Sequence, residues 1–276
     1  MTESADFRPS RPDFSNPPVI EVALSVGFNP LMGYTSAHSG VFWRSCADAF
    51  SKVEEHPPFS IPPVNESEDT SQEIEIVDGP PPIRTWLIAE DGSELLQLQR
   101  DVFAHNWRKI GPTHEYPRYE SLRNRFQRYF HAFVEFVRER NIGVVCPCTC
   151  EVTYVNHIPI GEHLRTSGDL QEVVSPWSWP HTTFLSEPSD VRFAARFKIR
   201  DDSDRFVGWL IADAKPAYRR SDGSGIIVLS MTARGIPLGN GSDGVLAFLD
   251  RGREWIVRGF TDLTTPKMHK VWGRTR

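Results

Sequence analysis

Between positions 118 and 141, Leu122, Phe126, Tyr129, Phe130, Phe133 and Val137 recur at intervals of three and four. Arg123, Arg125, Arg128, Glu135 and Arg138 occupy the other side of the same stretch. That period places a wide apolar stripe on one face of a helix, and such a stripe folds only where a second surface buries it. Asn141 and Gly143 supply its stop. A second stripe lies at 243–263. Phe126 and Ile256, Phe130 and Phe260, and Phe133 and Leu263 are each 130 positions apart.

The partner surface is written in alternating segments. Over 19–28, Val22, Leu24, Val26 and Phe28 alternate with Glu21, Ala23, Ser25 and Gly27, the two-residue period of a strand with one buried face. Similar patterns predict strands over 84–89, 94–103, 148–158, 191–200, 206–215 and 226–233. The turn at 90–93 joins the first two of these as a hairpin. Helical spacing predicts a helix over 37–50 and a weaker one over 162–174, interrupted by Gly168. Prolines crowd 56–82, so that stretch reads as an extended loop with one short strand over 74–77.

Both parts of the chain therefore read strand, helix, three strands, long helix. The expected fold class is α+β: two related β-α-β-β-β-α halves, 19–143 and 144–276, forming antiparallel sheet with the long helices on one face. Residues 1–18 read as a flexible tail, and the two halves as one compact unit. A saddle of the TATA-box-binding-protein kind and a tandem helix-grip arrangement are both compatible geometries, by analogy alone.

Strand parity assigns the other sheet face. With Val22, Leu24 and Val26 inward, Glu21 and Ser25 point out; with Leu96 and Leu98 inward, Gln97, Gln99 and Asp101 point out. In the second half Arg192, Arg196, Lys198, Ser230, Thr232 and Arg234 point out. The open face then reads as neutral to acidic in the first half and basic in the second. Antiparallel sheets commonly leave such a face to solvent; the alternative is a binding groove whose basic side receives an anion or an acidic partner.

Several motifs carry less than their spelling suggests. The run 239–244 matches G-x-G-x-x-G, but no parallel strand follows its helix, so Ser242 or Asp243 reads as a helix cap rather than part of a dinucleotide site. Cys146, Cys148 and Cys150 alternate along one strand, where zinc ligands would sit on a turn, and they read as small residues facing a core. No metal site and no cofactor are expected. Glu21 and Glu151, equivalent in the proposed repeat, are the candidates for an acid–base pair. Arg108 and Lys109, in the cluster 105–109 read as a loop packed on Trp107, are anion-binding candidates. Trp177 and Trp179 are candidates for an interface.

The formal net charge of −5 argues against general nucleic-acid binding, which favours a basic surplus. No apolar run reaches a bilayer-spanning length, so no membrane partner is expected, and the expected setting is the cytoplasm. The leading functional reading is a binding or regulatory protein that holds a protein partner, or another copy of itself, through its sheet face or tryptophan loop. The alternatives are an enzyme acting on a phosphorylated or otherwise anionic small molecule and, more weakly, nucleic-acid binding on a saddle-like sheet.

Several segments together resemble an uncharacterised, sporadically distributed family of bacterial proteins. They are Pro17-Pro18-Val19-Ile20-Glu21-Val22, then Leu96-Gln97-Leu98-Gln99 leading to Asn106-Trp107-Arg108-Lys109. Tyr116-Pro117-Arg118-Tyr119, Glu151-Val152-Thr153-Tyr154-Val155-Asn156 and 260–264 with Trp272 complete the set. The resemblance spans about residues 17–273. It implies a bacterial origin and one continuous architectural unit, and no reaction. The N-terminal tail and the alternating cysteines lie outside the matching segments.

Overall fold

The structure is a computed structural model that describes residues 10–66, 83–111, 113–161, 163–178 and 184–276. Its framework is one antiparallel sheet of nine strands, accompanied by four α-helices among the described residues. Strands β1 (Val19–Phe28) and β6 (Pro147–Pro159) form the central seam. Outward from β1 come β5 (Val102–Arg108), β4 (Glu94–Leu98), β3 (Arg84–Ile88) and β2 (Lys52–His56). Outward from β6 come β9 (Gly225–Gly235), β8 (Phe206–Tyr218) and β7 (Phe193–Arg200).

The period of two decides what the sheet buries. Leu24 lies opposite His105 and Val152, and Val26 opposite Phe103 and Cys150. Further out, Val152 faces Ala233 and Ala233 faces Leu210, so one apolar surface runs across the seam. The helices α1 (Ser36–Trp43), α2 (Tyr119–Glu139), α3 (Gly241–Leu263) and α4 (Pro266–Val271) supply its partners. From α2, Phe126 and Phe130 bring their rings within 5.8 and 5.5 Å of Phe103. Helix α3 approaches by its backbone: a Cβ on Gly252 would lie 3.0 Å from Ala233, and one on Gly259 would lie 2.6 Å from Leu210. A side chain at either position would crowd these neighbours and force Ala233 or Leu210 to give way.

Several local expectations are corrected. The predicted helix over 37–50 stops at Trp43, and 44–49 continues as turns. The run 94–103 is not one strand; it turns after Leu98, and the supposed loop at 105–109 is mostly strand β5, deep in the sheet. Strand β2, at the sheet edge, has no counterpart among the predicted strands, whereas 74–77 lies outside the described residues. The predicted helix over 162–174 is reduced to one 3-10 turn, Leu170–Glu172. There Asp169 Oδ2 accepts from the backbone N–H groups of Arg165 and Thr166, which ties the chain into a turn instead. The cap of α3 is Asn240, ahead of both Ser242 and Asp243. Of the three alternating cysteines only Cys150 is buried; Cys146 and Cys148 are exposed.

Candidate functional site

The sheet surface opposite Phe103 and Val152 carries one continuous register row across all nine strands. It reads Glu54, Trp86, Gln97, Ala104, Ser25, Glu151, Arg234, Trp209 and Lys198. Polar groups at its centre are satisfied by one another. Gln97 Oε1 accepts from Trp86 Nε1 and Arg84 Nη1, both at 3.0 Å, and Gln97 Nε2 donates to Asn106 Oδ1 at 2.8 Å. Asn106 Nδ2 in turn donates to Glu21 Oε1 at 2.7 Å. Across the seam Arg234 Nε donates to Glu151 Oε2 at 2.6 Å, and Thr153 and Thr232 share a hydroxyl contact of 2.9 Å.

A tryptophan stands on each flank of the row, and each carries cations. Arg196 lies 4.3 Å and Lys198 5.8 Å from the Trp209 ring centroid. Arg84 and Arg108 lie 5.3 and 5.7 Å from Trp86, against which His56 stacks at 3.8 Å. Guanidinium–indole contacts of this kind hold a charge in place while leaving its edges free to bond. The first half of this face also carries Arg84 and Arg108, which stand beside Glu21 and Glu54 and balance them in charge.

Residues 57–66 cross this face from the end of β4 to β7. Gln99 is 2 % exposed and reads the backbone of Phe59: Phe59 N–H donates to Gln99 Oε1 at 3.0 Å, and Gln99 Nε2 donates to Phe59 O at 3.1 Å. Ile61 then lies over Gly27, Trp209 Nε1 donates to Asn65 O at 2.9 Å, and Glu66 lies 3.3 Å from Lys198 and 3.6 Å from Arg200. Phe59, Ile61 and Val64 are half-buried, while the prolines, Ser60, Asn65 and Glu66 are exposed. The crossing is thus an extended segment seated by three apolar side chains and by bonds to its main chain.

The residues picked out in the sequence do not form one site. Glu21 and Glu151 share the face, but Glu151 lies opposite Ser25, four residues along β1 from Glu21. At the rise of an extended strand that offset is roughly 13 Å, too far to share a proton, and each carboxylate has its own partner. Arg196, Lys198 and Arg234 gather around Trp209, with Arg192 exposed just before β7. Arg108 belongs to the Trp86 cluster and donates from Nη2 to Gly92 O at 3.1 Å. Lys109 lines a separate cleft of about 850 Å³ with Pro17, Pro18 and Trp272. Trp177 is half-buried and packs against the core, and Trp179 lies outside the described residues.

Sequence reasoning missed Trp86, Trp209 and the 57–66 crossing. The two tryptophans share the outward parity of Gln97 and Lys198, and that was the available signal; the crossing joins residues about 140 positions apart and left none. Among the described residues no group of three or more His, Cys, Asp and Glu is placed to hold a metal ion. No helix among them is long and apolar enough to cross a membrane. Comparisons with protein families, curated proteins and solved structures find no match.

Proposed function

We propose that this chain is a binding or regulatory protein whose open sheet face takes an extended, proline-bearing, acidic segment of a protein partner. Its own residues 57–66 hold that place in the absence of the partner. The observation that carries the reading is the paired hydrogen bond between the Gln99 amide and the main chain of Phe59. Main-chain bonds to an extended strand supply affinity in peptide recognition, and adjoining side-chain sites supply selectivity. Here Ile61 occupies the apolar position and Glu66 the basic one, between Lys198 and Arg200.

The same proposal includes the architecture. We read the sheet as two copies of one β-α-β-β-β-α unit related by a two-fold at the Ala23–Thr153 pair, the one register pair of the seam that is 130 positions apart. The halves are then 19–143 and 144–276, with both long helices on the face bearing Phe103 and Val152. Tyr129 beside His105 on α2 is matched by Gly259 beside Met231 on α3, again 130 positions on. With the helices gathered on one side, the other side stays open to a partner. In this reading the protein belongs in the cytoplasm.

A labelled synthetic peptide of residues 57–66 tests the groove against the full chain and against a variant whose own 57–66 is replaced by Gly-Ser repeats. The peptide is expected to bind the replaced variant with a Kd below about 1 mM, the effective concentration a short tether supplies. Binding to the natural chain is expected to be about tenfold weaker, and Lys198→Glu in the replaced variant is expected to abolish it. Equal binding to both chains, or none to a replaced variant that still shows the native circular dichroism, overturns the proposal.

A further inference from the structure

On the other side of the sheet, the N-terminal arm, the start of α2 and the middle of α3 enclose a cavity of about 390 Å³. Phe14, Ile256 and Phe260 give it apolar walls. Tyr116 and Tyr154 line it with their hydroxyls 2.9 Å apart. Four guanidinium groups surround it, those of Arg11, Arg118, Arg253 and Arg276, but only two carboxylates, Asp13 and Glu120.

Each carboxylate is shared. Asp13 lies 3.1 Å from Arg118 and 3.9 Å from Arg276; Glu120 lies 3.3 Å from Arg253 and 4.0 Å from Arg11. Counted by side chains, the lining sets four guanidinium groups against two carboxylates. Arg253 is the least solvated of the four, with a side chain 16 % exposed. Its guanidinium packs over the Tyr119 ring at 5.3 Å, and its Nε and Nη1 are buried without an acceptor. A buried donor without a partner is costly, the more so when charged, so this corner of the cavity is short of oxyanion.

The backbone is held under strain at the same place. Arg118 caps α2 with φ 66° and ψ 155°, a region that belongs almost wholly to glycine. Two bonds fix it there: Arg118 Nη1 donates to Asp13 Oδ1 at 3.1 Å and to Phe14 O at 3.2 Å. No side chain caps the first turn of this 21-residue helix, which carries Glu120, so the helix start reaches the cavity beside the Glu120–Arg253 pair.

We infer that the cavity binds a small organic oxyanion, a carboxylate or a phosphate monoester on an apolar or aromatic body. The oxyanion takes the corner of Arg253, at its unaccepted Nε and Nη1, and the body lies against Phe14, Ile256 and Phe260. The tyrosine hydroxyls stay protonated under their burial, so they offer hydrogen bonds and add no charge against the anion. The site is separate from the peptide face, and neither reading rests on the other.

Benzoate and phenyl phosphate serve as probes on the full chain, with benzyl alcohol as the neutral analogue and inorganic phosphate as the anion lacking a body. Calorimetry or ligand-observed NMR is expected to give a Kd below about 1 mM for at least one aromatic anion, and the one that binds more tightly distinguishes carboxylate from phosphate. Benzyl alcohol and inorganic phosphate are expected to bind at least about tenfold more weakly. Arg253→Met is expected to weaken the anion by about tenfold or more. Val257→Trp, which fills the cavity from α3 and leaves the arginines in place, is expected to abolish binding in a chain that still unfolds cooperatively. Benzyl alcohol binding as tightly as the anions, unchanged affinity in folded Val257→Trp, or no binding of either aromatic anion overturns the inference.

Discussion

Phe133→Ala is expected to cost about 3–5 kcal/mol of stability, the range for removing a fully buried aromatic ring. The ring is fully buried and meets four others: Phe28 at 5.9 Å, Tyr34 at 6.0 Å, Phe42 at 5.7 Å and Phe103 at 5.3 Å. These belong to β1, the segment after it, α1 and β5, so one side chain ties α2 to several separate parts of the first half. Collapse around the gap is limited, because aromatic rings from fixed elements cannot close over it without moving backbone. Urea unfolding followed by tryptophan fluorescence measures the loss. Phe136→Ala, half-buried on the same helix and in contact with Phe42 alone among these rings, is the internal reference and should cost clearly less. Equal costs for the two variants would mean that α2 does not seat by this stripe.

A second large effect is expected from pH. His105 is completely buried, and burial, with the Arg128 charge adding to it, pushes its pKa down to about 4 from an ordinary 6.5. Glu94 opposes this: its Oε2 lies 3.1 Å from His105 Nε2, and a free carboxylate there would favour the charged ring. Arg125 also pairs with Glu94, however, and so offsets that pull. The native state therefore holds the imidazole neutral, and the unfolded chain binds the proton first. Stability from this group is complete above about pH 6.5 and is lost as pH falls toward 4, by about 3 kcal/mol over the whole window. Stability measured by urea at several pH values, for the natural chain and for His105→Gln, isolates the contribution. The difference between the two should shrink as the solution is acidified, and a difference constant from pH 7 to pH 4 rules the mechanism out.

How much of this was legible depended on whether residues were judged by neighbours in sequence or in space. The stripe from Leu122 to Val137 and the alternation of β1 and of β6 to β9 lie within single elements, so periodicity located them to within a few residues. Strand β5 defeated the same test. His105 and Asn106 look like loop residues, yet both are buried, because Glu94 bonds to one and Glu21 with Gln97 to the other. Strand β2, Lys52–His56, is an edge strand with little to bury and so no alternation to read. Over 162–174 the apolar spacing suggested a helix, but the turn built on Asp169 competes with it locally.

The candidate surfaces followed the same division. Parity alone points Arg196, Lys198 and Arg234 outward, and the strand register agrees. Parity has no means of showing that 57–66 lies across them, nor that Tyr116, Arg118 and Arg253 meet around one cavity. Each of those relations joins segments far apart along the chain, and only the assembled sheet brings them together. The segments Tyr116-Pro117-Arg118-Tyr119 and Glu151–Asn156 contribute four lining residues to that cavity besides Asn156 itself: Tyr116, Arg118, Tyr119 and Tyr154.

Among the described residues the sheet also ends in two rims that pair with no further strand, and their composition bears on how copies meet. Along β2 run Lys52, Glu54 and Glu55, a net negative set; along β7 run Arg196, Lys198 and Arg200, all positive. Two β7 rims meeting would align Arg196, Lys198 and Arg200, of which Glu66 pairs with the last two, and that discourages this symmetric contact. The approach of β2 of one copy to β7 of the next brings Glu54 and Glu55 toward these cations instead. Such a contact is head-to-tail, and unless its rotation closes a ring it adds molecules along a line. The basic β7 rim thus weighs against β7–β7 pairing and makes chain-like growth the contact that these two strands must be kept from.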